Sequence, residues 1–399
     1  LYISKGGRTM KRNMFVFGLA ALTLVGAGLV SCGNDDVDGG KTKIAMITDY
    51  GDITDQSFNQ TTWEGVVEWG KENNYETKYY KPADNSDAAR IASAEKAIEE
   101  GYDVIVMPGY AFAATINKVA PDYKDTKFIA LDVAKGDLLA DYFGKEYDYN
   151  PDNEKWSSYT LPSNVYSAVY QEEIAGFFAG YAITKEGYTK SGFLGGMAVP
   201  AVIRYGYGFV QGVNAAAEDG KEYEMKYTYG GQFQGDADIT ARTDLWYQSG
   251  TEIVFACGGG IYTSACESAK KLEPIGKVVG VDTDQSAIID TNYGAGMCVT
   301  SAMKGLKATV LSKLTEVVID KKWESKIETL GLVSGTDVEK NYVQLPTDTW
   351  SMKNFTIDDY KALVKDVYEG KYKVSNNSST ETHPETKANV KVTYEANIK

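Results

Sequence analysis

The sequence predicts an α/β protein built from two lobes, each a parallel sheet covered by helices on both faces. Three observations carry this. Short β-rich apolar runs alternate with helical patterns along most of the chain, the alternation occurs as two successive series, and acidic residues recur at the ends of the strands. At 399 residues, 43% of them hydrophobic, the chain is long enough for two ordinary domains. Its spread of apolar residues, with forty glycines and nine prolines, excludes collagen-like, coiled-coil and fully disordered chains.

The first series opens with the strand KIAMIT at 43–48, followed by a helix at 57–73 whose Trp63, Val66, Val67 and Trp69 fall at helical spacing. Residues 76–80 read as a strand, 88–100 as an amphipathic helix, 104–108 as a buried strand, 113–120 as a helix, and KFIAL at 127–131 as the fourth strand. A Tyr/Asp-rich stretch at 136–163 reads as irregular. The second series runs helix 171–183, strand 190–195, helix 203–217, strand 224–229, helix 237–249, strand 253–256, helix 263–271 and strand 278–281. A last strand at 297–303 leads into a helix at 307–318.

Residues 43–163 with 283–320 are expected to form the first lobe, and 164–282 with about 321–374 the second. A polar tail at 375–399 is expected to be poorly ordered.

Residues 1–31 carry Lys5, Arg8, Lys11 and Arg12 and no acid, then an apolar run at 14–30. That is the pattern of a secretory leader. Leu29-Val30-Ser31-Cys32 resembles a bacterial lipobox, which implies a diacylglycerol on Cys32 and cleavage just before it. The competing assignment, an uncleaved membrane anchor, needs a slightly longer apolar run. Met10 or Met14 is the expected start, and residues 32–42 are expected to be a flexible tether. Removing residues 1–31 takes the formal charge from −14 to −18. So acidic a surface repels nucleic acid, which is therefore not an expected partner. Cys257, Cys266 and Cys298 sit among apolar neighbours and are expected to be buried thiols.

Much enzymology is excluded by missing parts. The single histidine, His383, lies in the polar tail, so triads with an internal imidazole and multi-histidine zinc sites have no raw material. The chain has no C-x-x-C pair, no G-x-x-x-x-G-K-[ST] loop and no G-x-S-x-G elbow. A binding protein without catalytic residues, metal or cofactor is expected.

In open parallel sheets, ligands sit beyond the carboxyl ends of the strands, where loops and helix N-termini converge. Asp49 follows KIAMIT, Asp132 follows KFIAL, Gly258 and Gly259 follow IVFAC, Asp282 follows VVGV, and Lys304 follows the last strand of the second series. One such Asp is as often a cap or turn residue as a ligand contact. Three of them with a lysine point to a cleft. Ionised carboxylates only accept hydrogen bonds, so the cleft suits a neutral or cationic ligand rich in hydroxyl and N–H donors and repels bare phosphate.

The block Asp49-Tyr50-Gly51-Asp52-Ile53-Thr54-Asp55-Gln56-Ser57-Phe58-Asn59-Gln60, with Trp63-Glu64-Gly65, resembles the opening motif of the basic membrane protein family. These are purine-nucleoside-receptor-like lipoproteins that serve ABC importers. The resemblance continues at 169–181, 193–197, 208–212, 231–233, 257–260, 279–285 and 301–304, in order, and covers most of residues 43–310. It implies a type I periplasmic-binding fold, two lobes joined by a three-stranded hinge and closing over a nucleoside.

Carried over, the resemblance puts Phe58 and Phe233 on opposite faces of the base, and Asp49 and Asn59 at its edge. Asp282 and Lys304 would bind ribose hydroxyls, with Gly258 and Gly259 letting backbone approach the sugar. Asp132 either joins the site or stabilises its strand end, with contact favoured. Asp55 reads as a helix cap, and Phe209, Trp63 and Trp69 as packing residues. The implied partners are a nucleoside, an ABC permease and the membrane through Cys32, with the protein acting as a monomer on the extracytoplasmic face.

The stretch at 136–163 is longer than the family's usual connection and stands where it can reshape the cleft mouth or decorate the surface. Three other classes stay open: a sugar- or autoinducer-binding protein of the same fold, a ligand sensor for a signalling receptor, and a nucleoside hydrolase. The last lacks its D-x-D-x-x-x-D-D run here.

Overall fold

A computed structural model describes residues 41–144 and 156–399. The leader, Cys32, nearly all of the tether and part of the Tyr/Asp-rich stretch lie outside the described residues. Lys41–Lys399 fold as one unit.

The alternating pattern becomes two sheets. The first contains β1 (Ile44–Ile47), β2 (Thr77–Tyr80), β3 (Val104–Pro108), β4 (Lys127–Leu131), β5 (Val165–Tyr170) and β11 (Lys326–Leu330). Its order is β11-β5-β4-β3-β1-β2, parallel throughout. The second contains β6 (Lys190–Gly195), β7 (Tyr223–Tyr229), β8 (Ile253–Cys257), β9 (Lys277–Asp282), β10 (Cys298–Lys304), β12 (Val343–Gln344) and β13 (Val390–Tyr394). Its order is β12-β10-β9-β8-β6-β7-β13, with only β12 antiparallel. Strands β1, β3 and β8 are buried at every position, because helices cover both faces.

The first lobe carries helices α1 (Phe58–Asn73), α2 (Asp87–Glu99), α3 (Ala113–Val119) and α4 (Lys135–Phe143). The second carries α5 (Glu172–Glu186), α6 (Pro200–Ala216), α7 (Ala237–Gln248), α8 (Tyr262–Ala269) and α9 (Ser286–Tyr293). Next come α10 (Leu306–Leu314) and α11 (Ile357–Tyr368). Helix α10 returns to the first lobe: Gly65 of α1 lies against Val310 and Lys307, and the Trp69 indole donates to Thr315 at 2.8 Å. In the second lobe α5 and α6 touch backbone to backbone. A Cβ on Gly208 would come within 1.9 Å of the Glu173 carbonyl, so only glycine fits there. Trp69 and Phe209 are core residues, Trp63 packs half-buried against that core, and Cys257, Cys266 and Cys298 are buried free thiols.

Three features differ from the sequence reading. The chain changes lobes at other points than residues 163 and 282. β5 pairs with β4 and β11 in the first sheet, and β10 pairs with β9 in the second. Nothing in the local pattern marks a crossing, because a strand reads alike in either sheet. The stretch expected to be irregular contains α4, ended by Gly144 at φ 60. The tail contributes β13, whose VKVTY alternation pairs in parallel with β7 from Val390↔Tyr223 to Tyr394↔Tyr227. A polar surrounding sequence hides a strand whose partner is supplied by the sheet edge.

Three passages of chain join the lobes, after β5, after β10 and between β11 and β12. They run side by side: the Gln171 N–H donates to the Leu330 carbonyl at 3.0 Å, Tyr342 to Gly331 at 3.0 Å, and Gly305 to Tyr342 at 2.7 Å. No described helix is long and apolar enough to cross a membrane.

Candidate functional site

The carboxyl ends of both sheets face one cavity of about 860 Å³, including its open mouth. Asp49, Phe58, Asn59, Asp132, Phe233, Gly258, Gly259, Asp282 and Lys304 all line it. The structure thus gathers the sequence-predicted residues in one place, though not always with the surroundings the resemblance implies.

The floor is a buried charged cluster. The Lys304 ammonium sits 2.6 Å from Asp132, 3.2 Å from Glu172 and 3.9 Å from Asp282. Glu172 also accepts from the Arg204 guanidinium at 2.7 Å. Lys304 and Asp282 are only 4% and 5% exposed, so a charge on either needs a partner to replace its lost water. Burial opposes the charge on Lys304, but Asp132, Glu172 and Asp282 outweigh it and hold its pKa above the ordinary value. Burial likewise opposes ionisation of Glu172, yet Arg204 and Lys304 keep its pKa below the ordinary carboxylate range. Asp132 goes the other way: burial exceeds the pull of Lys304 and pushes it up to about 7. Asp282 is raised by burial too, against Lys304 and a 2.6 Å hydrogen bond from Ser57 of the other lobe.

Asp132 and Asp282 share a backbone trait. Both adopt left-handed conformations, φ 63 and φ 66, uncommon outside glycine, and their carboxylates are held by distant partners, Lys304 and Ser57. Each turns out of its strand straight into the cavity wall.

Phe58 and Phe233 come from different lobes. Phe58 begins α1, and its ring lies 5.0 Å from the Lys304 ammonium, with Tyr205 and Tyr170 at 5.4 and 5.5 Å. Phe233 follows β7 and lies on Gly196 and Gly258, where an added Cβ would meet its ring at 2.3 and 2.7 Å. The bare backbone at Gly258 therefore makes room for Phe233, and it also lines the cavity in which the resemblance places a sugar. At Gly259, φ 52, an added Cβ would come within 2.8 Å of the Phe233 carbonyl oxygen.

Asn59 also differs in surroundings. Its amide donates to Asp49 and Asp55, both at 3.0 Å, and its carbonyl accepts the Asp49 N–H at 3.3 Å. It orders the loop. Asp49 keeps one oxygen on the Tyr50 and Gly51 N–H groups, both at 2.6 Å, while the other lies beside Gly109. Asp55 takes the N–H groups of Ser57, Asn59 and Gln60 at 2.9 to 3.0 Å, the cap expected of it.

Sequence reasoning missed Tyr50, Tyr110, Asp137, Glu172, Arg204 and Tyr205. Tyr50 and Tyr110 stand beside strand ends, the signal that found the acids, but tyrosine carries no charge to draw notice. Glu172 and Arg204 are charges inside two apolar helices, an oddity legible in sequence. Asp137 donates no such clue: it caps α4, accepting the Ala134 N–H at 2.8 Å, and burial pushes it up to about 7. Among the described residues no cluster of His, Cys, Asp and Glu is arranged to hold a metal ion.

Two parallel-sheet lobes, three adjoining connections and a cavity at the facing strand ends, lined by aromatic rings above a charged floor, define a two-lobed ligand-binding protein of the type I periplasmic-binding fold. In agreement, an ABC-transporter solute-binding protein from Aeropyrum pernix K1 superposes with TM-score 0.61 over 84% of this chain and 88% of its own, at 20% identity. One from Conexibacter woesei superposes with TM-score 0.59 over 84% and 99%, at 19% identity.

The family model described as Bmp, ABC transporter substrate-binding protein PnrA-like, matches residues 41–375, and the chain belongs to that family. The ABC transporter nucleoside-binding protein BmpA of Lactococcus lactis is 29% identical over 291 residues, covering 69% of this chain and 75% of the relative. Basic membrane protein B of Borreliella afzelii is 25% identical over 332 residues, covering 82% and 87%. Members of this family are substrate-binding proteins.

Proposed function

We propose that this protein is the lipid-anchored, extracytoplasmic substrate-binding component of an ABC importer and that its ligand is a nucleoside, with a purine base. The observation that carries the reading is the convergence, in one interlobe cavity, of aromatic rings from both lobes with an acid-rich polar floor. A nucleoside has a flat apolar face and several hydroxyl and N–H donors, and the two halves of the cavity match those two halves of the ligand.

In this reading the base stacks on Phe233 and Phe58, a contact on the order of 1 to 3 kcal/mol per aromatic ring in single-strand binders. Asp49 accepts from the base edge, and Asn59 holds Asp49 in place. Asp282, Asp132 and Lys304 take the ribose hydroxyls. The floor favours a neutral ligand, because both of its cations, Arg204 and Lys304, already face carboxylates.

Ligand bound between the lobes stabilises the closed arrangement over the open one, with the three connections as hinge. The closed protein then docks, as a monomer, on a permease kept within reach by a lipid on Cys32. No covalent chemistry is involved. The relative named as nucleoside-binding supports this choice of ligand.

Calorimetry with guanosine, inosine and adenosine tests the reading. At least one binds, and Phe58→Ala or Asp282→Ala weakens it tenfold or more. Unchanged affinity in both variants overturns the site assignment. Sugar binding without nucleoside binding favours a sugar-binding protein of the same fold.

A further inference from the structure

Away from the charged floor, two tyrosines of the first lobe converge on one methionine of the second. Tyr50 follows Asp49 beyond β1, and Tyr110 follows Gly109 beyond β3. Their hydroxyls lie 3.4 and 3.6 Å from the Met197 sulfur, just beyond β6. The Tyr50 ring also faces Phe233 across the gap, with centroids 6.1 Å apart and planes inclined by 22°. All three residues are half-buried, whereas Lys304 and Asp282 are 4% and 5% exposed, so this group stands nearer the solvent end of the cavity. Burial raises the pKa of both phenols, and they remain protonated donors.

A thioether is a weak acceptor and a soft, polarizable partner for aromatic rings. None of these contacts is strong alone, but all are broken together whenever the lobes separate. Contacts made only after closure slow departure without speeding arrival, which is where related complexes mostly differ.

We propose that Tyr50, Tyr110 and Met197 form a clasp between the lobes over the cavity mouth, and that this clasp sets how long a bound ligand stays. The inference rests on the cavity being the ligand site, and its test separates the two.

Stopped-flow displacement of guanosine from wild type, Tyr50→Ala and Met197→Ala gives the rates. Dissociation accelerates about tenfold in each variant, while association changes by less than threefold. The gentler Tyr50→Phe and Met197→Leu keep ring and volume and accelerate dissociation two- to threefold, which also serves if an alanine variant misfolds. Dissociation within twofold of wild type in all four overturns the clasp, as does a loss carried entirely by slower association. A second readout needs no ligand: small-angle X-ray scattering gives a larger radius of gyration for Tyr50→Ala and Met197→Ala than for wild type. Equal radii overturn the clasp even if the wild-type protein binds neither nucleosides nor sugars, a result that by itself would sink the nucleoside reading.

Discussion

The floor and the mouth of the cavity are built by different physics. At the floor, Lys304 and Arg204 are interlocked with Asp132, Glu172 and Asp282 at distances down to 2.6 Å, with Lys304, Glu172 and Asp282 buried. At the mouth, Tyr50, Tyr110, Met197 and Phe233 meet through rings and a sulfur, with no ion pair between them. Removing one member of a buried charged network leaves the others uncompensated, whereas trimming one ring of a half-buried group lets water take its place. Damage to the floor should therefore reach the whole fold, and damage to the mouth should stay local to binding.

The sharpest break in that contrast is Lys304→Met. It leaves Asp132 and Asp282 without their cation while Glu172 keeps Arg204, and stability should fall by about 3 to 5 kcal/mol in urea denaturation. A loss below about 1 kcal/mol would mean that the floor is far better hydrated than its burial implies. Phe233→Ala provides the opposite case. Nucleoside affinity drops about tenfold or more by calorimetry, in keeping with roughly 1 to 3 kcal/mol per stacked base, while the urea midpoint moves little.

pH sharpens the comparison further. Asp132 and Asp137 are held up to about 7 by burial, against an ordinary value of 3.8. Between those values the folded protein keeps protons that the unfolded chain has lost, so stability declines as pH rises from about 4 through 7. Asp137→Asn, which stays neutral at every pH, should remove on the order of 2 to 3 kcal/mol of that decline between pH 5 and pH 8. An unchanged pH profile would place the Asp137 titration at its ordinary acid range. The smallest effect belongs to Tyr110→Phe, which deletes one hydroxyl-to-sulfur contact. Ligand dissociation quickens about twofold, since such contacts contribute roughly 0.5 kcal/mol, and stability is unaffected.

The floor was more legible in the sequence than the mouth. Asp49, Asp132, Asp282 and Lys304 declared themselves because charges at strand ends are costly to bury without purpose, and alternation of strand and helix said where those ends lie. Glu172 escaped because its partner Arg204 is thirty-two residues away, and only the α5–α6 packing brings the two together. Tyr50, Tyr110 and Met197 escaped because nothing distinguishes a tyrosine at a mouth from one in a core until the lobes are assembled.

At fold level the two series were readable from periodicity, but the crossings after β5 and β10 were not. Strand-to-sheet assignment depends on partners distant in sequence, as Phe128↔Val165 and Met303↔Asp282 illustrate. β13 was missed for the same reason: VKVTY becomes a strand only because the edge of β7 is there to receive it. The role of glycine shows a subtler limit. Gly258 was read as room for a ligand; it lines the cavity, and its missing Cβ also makes room for the Phe233 ring, a second need the sequence does not reveal.

We propose that a neutral nucleoside occupies the interlobe cavity, and comparing guanosine with guanosine 5′-monophosphate is the plainest test. Arg204 and Lys304 are already neutralised by Glu172, Asp132 and Asp282, leaving neither cation free to receive a phosphate. Calorimetry should give tight binding of guanosine and at least hundredfold weaker binding of its monophosphate. Equal or tighter binding of the monophosphate would contradict the account.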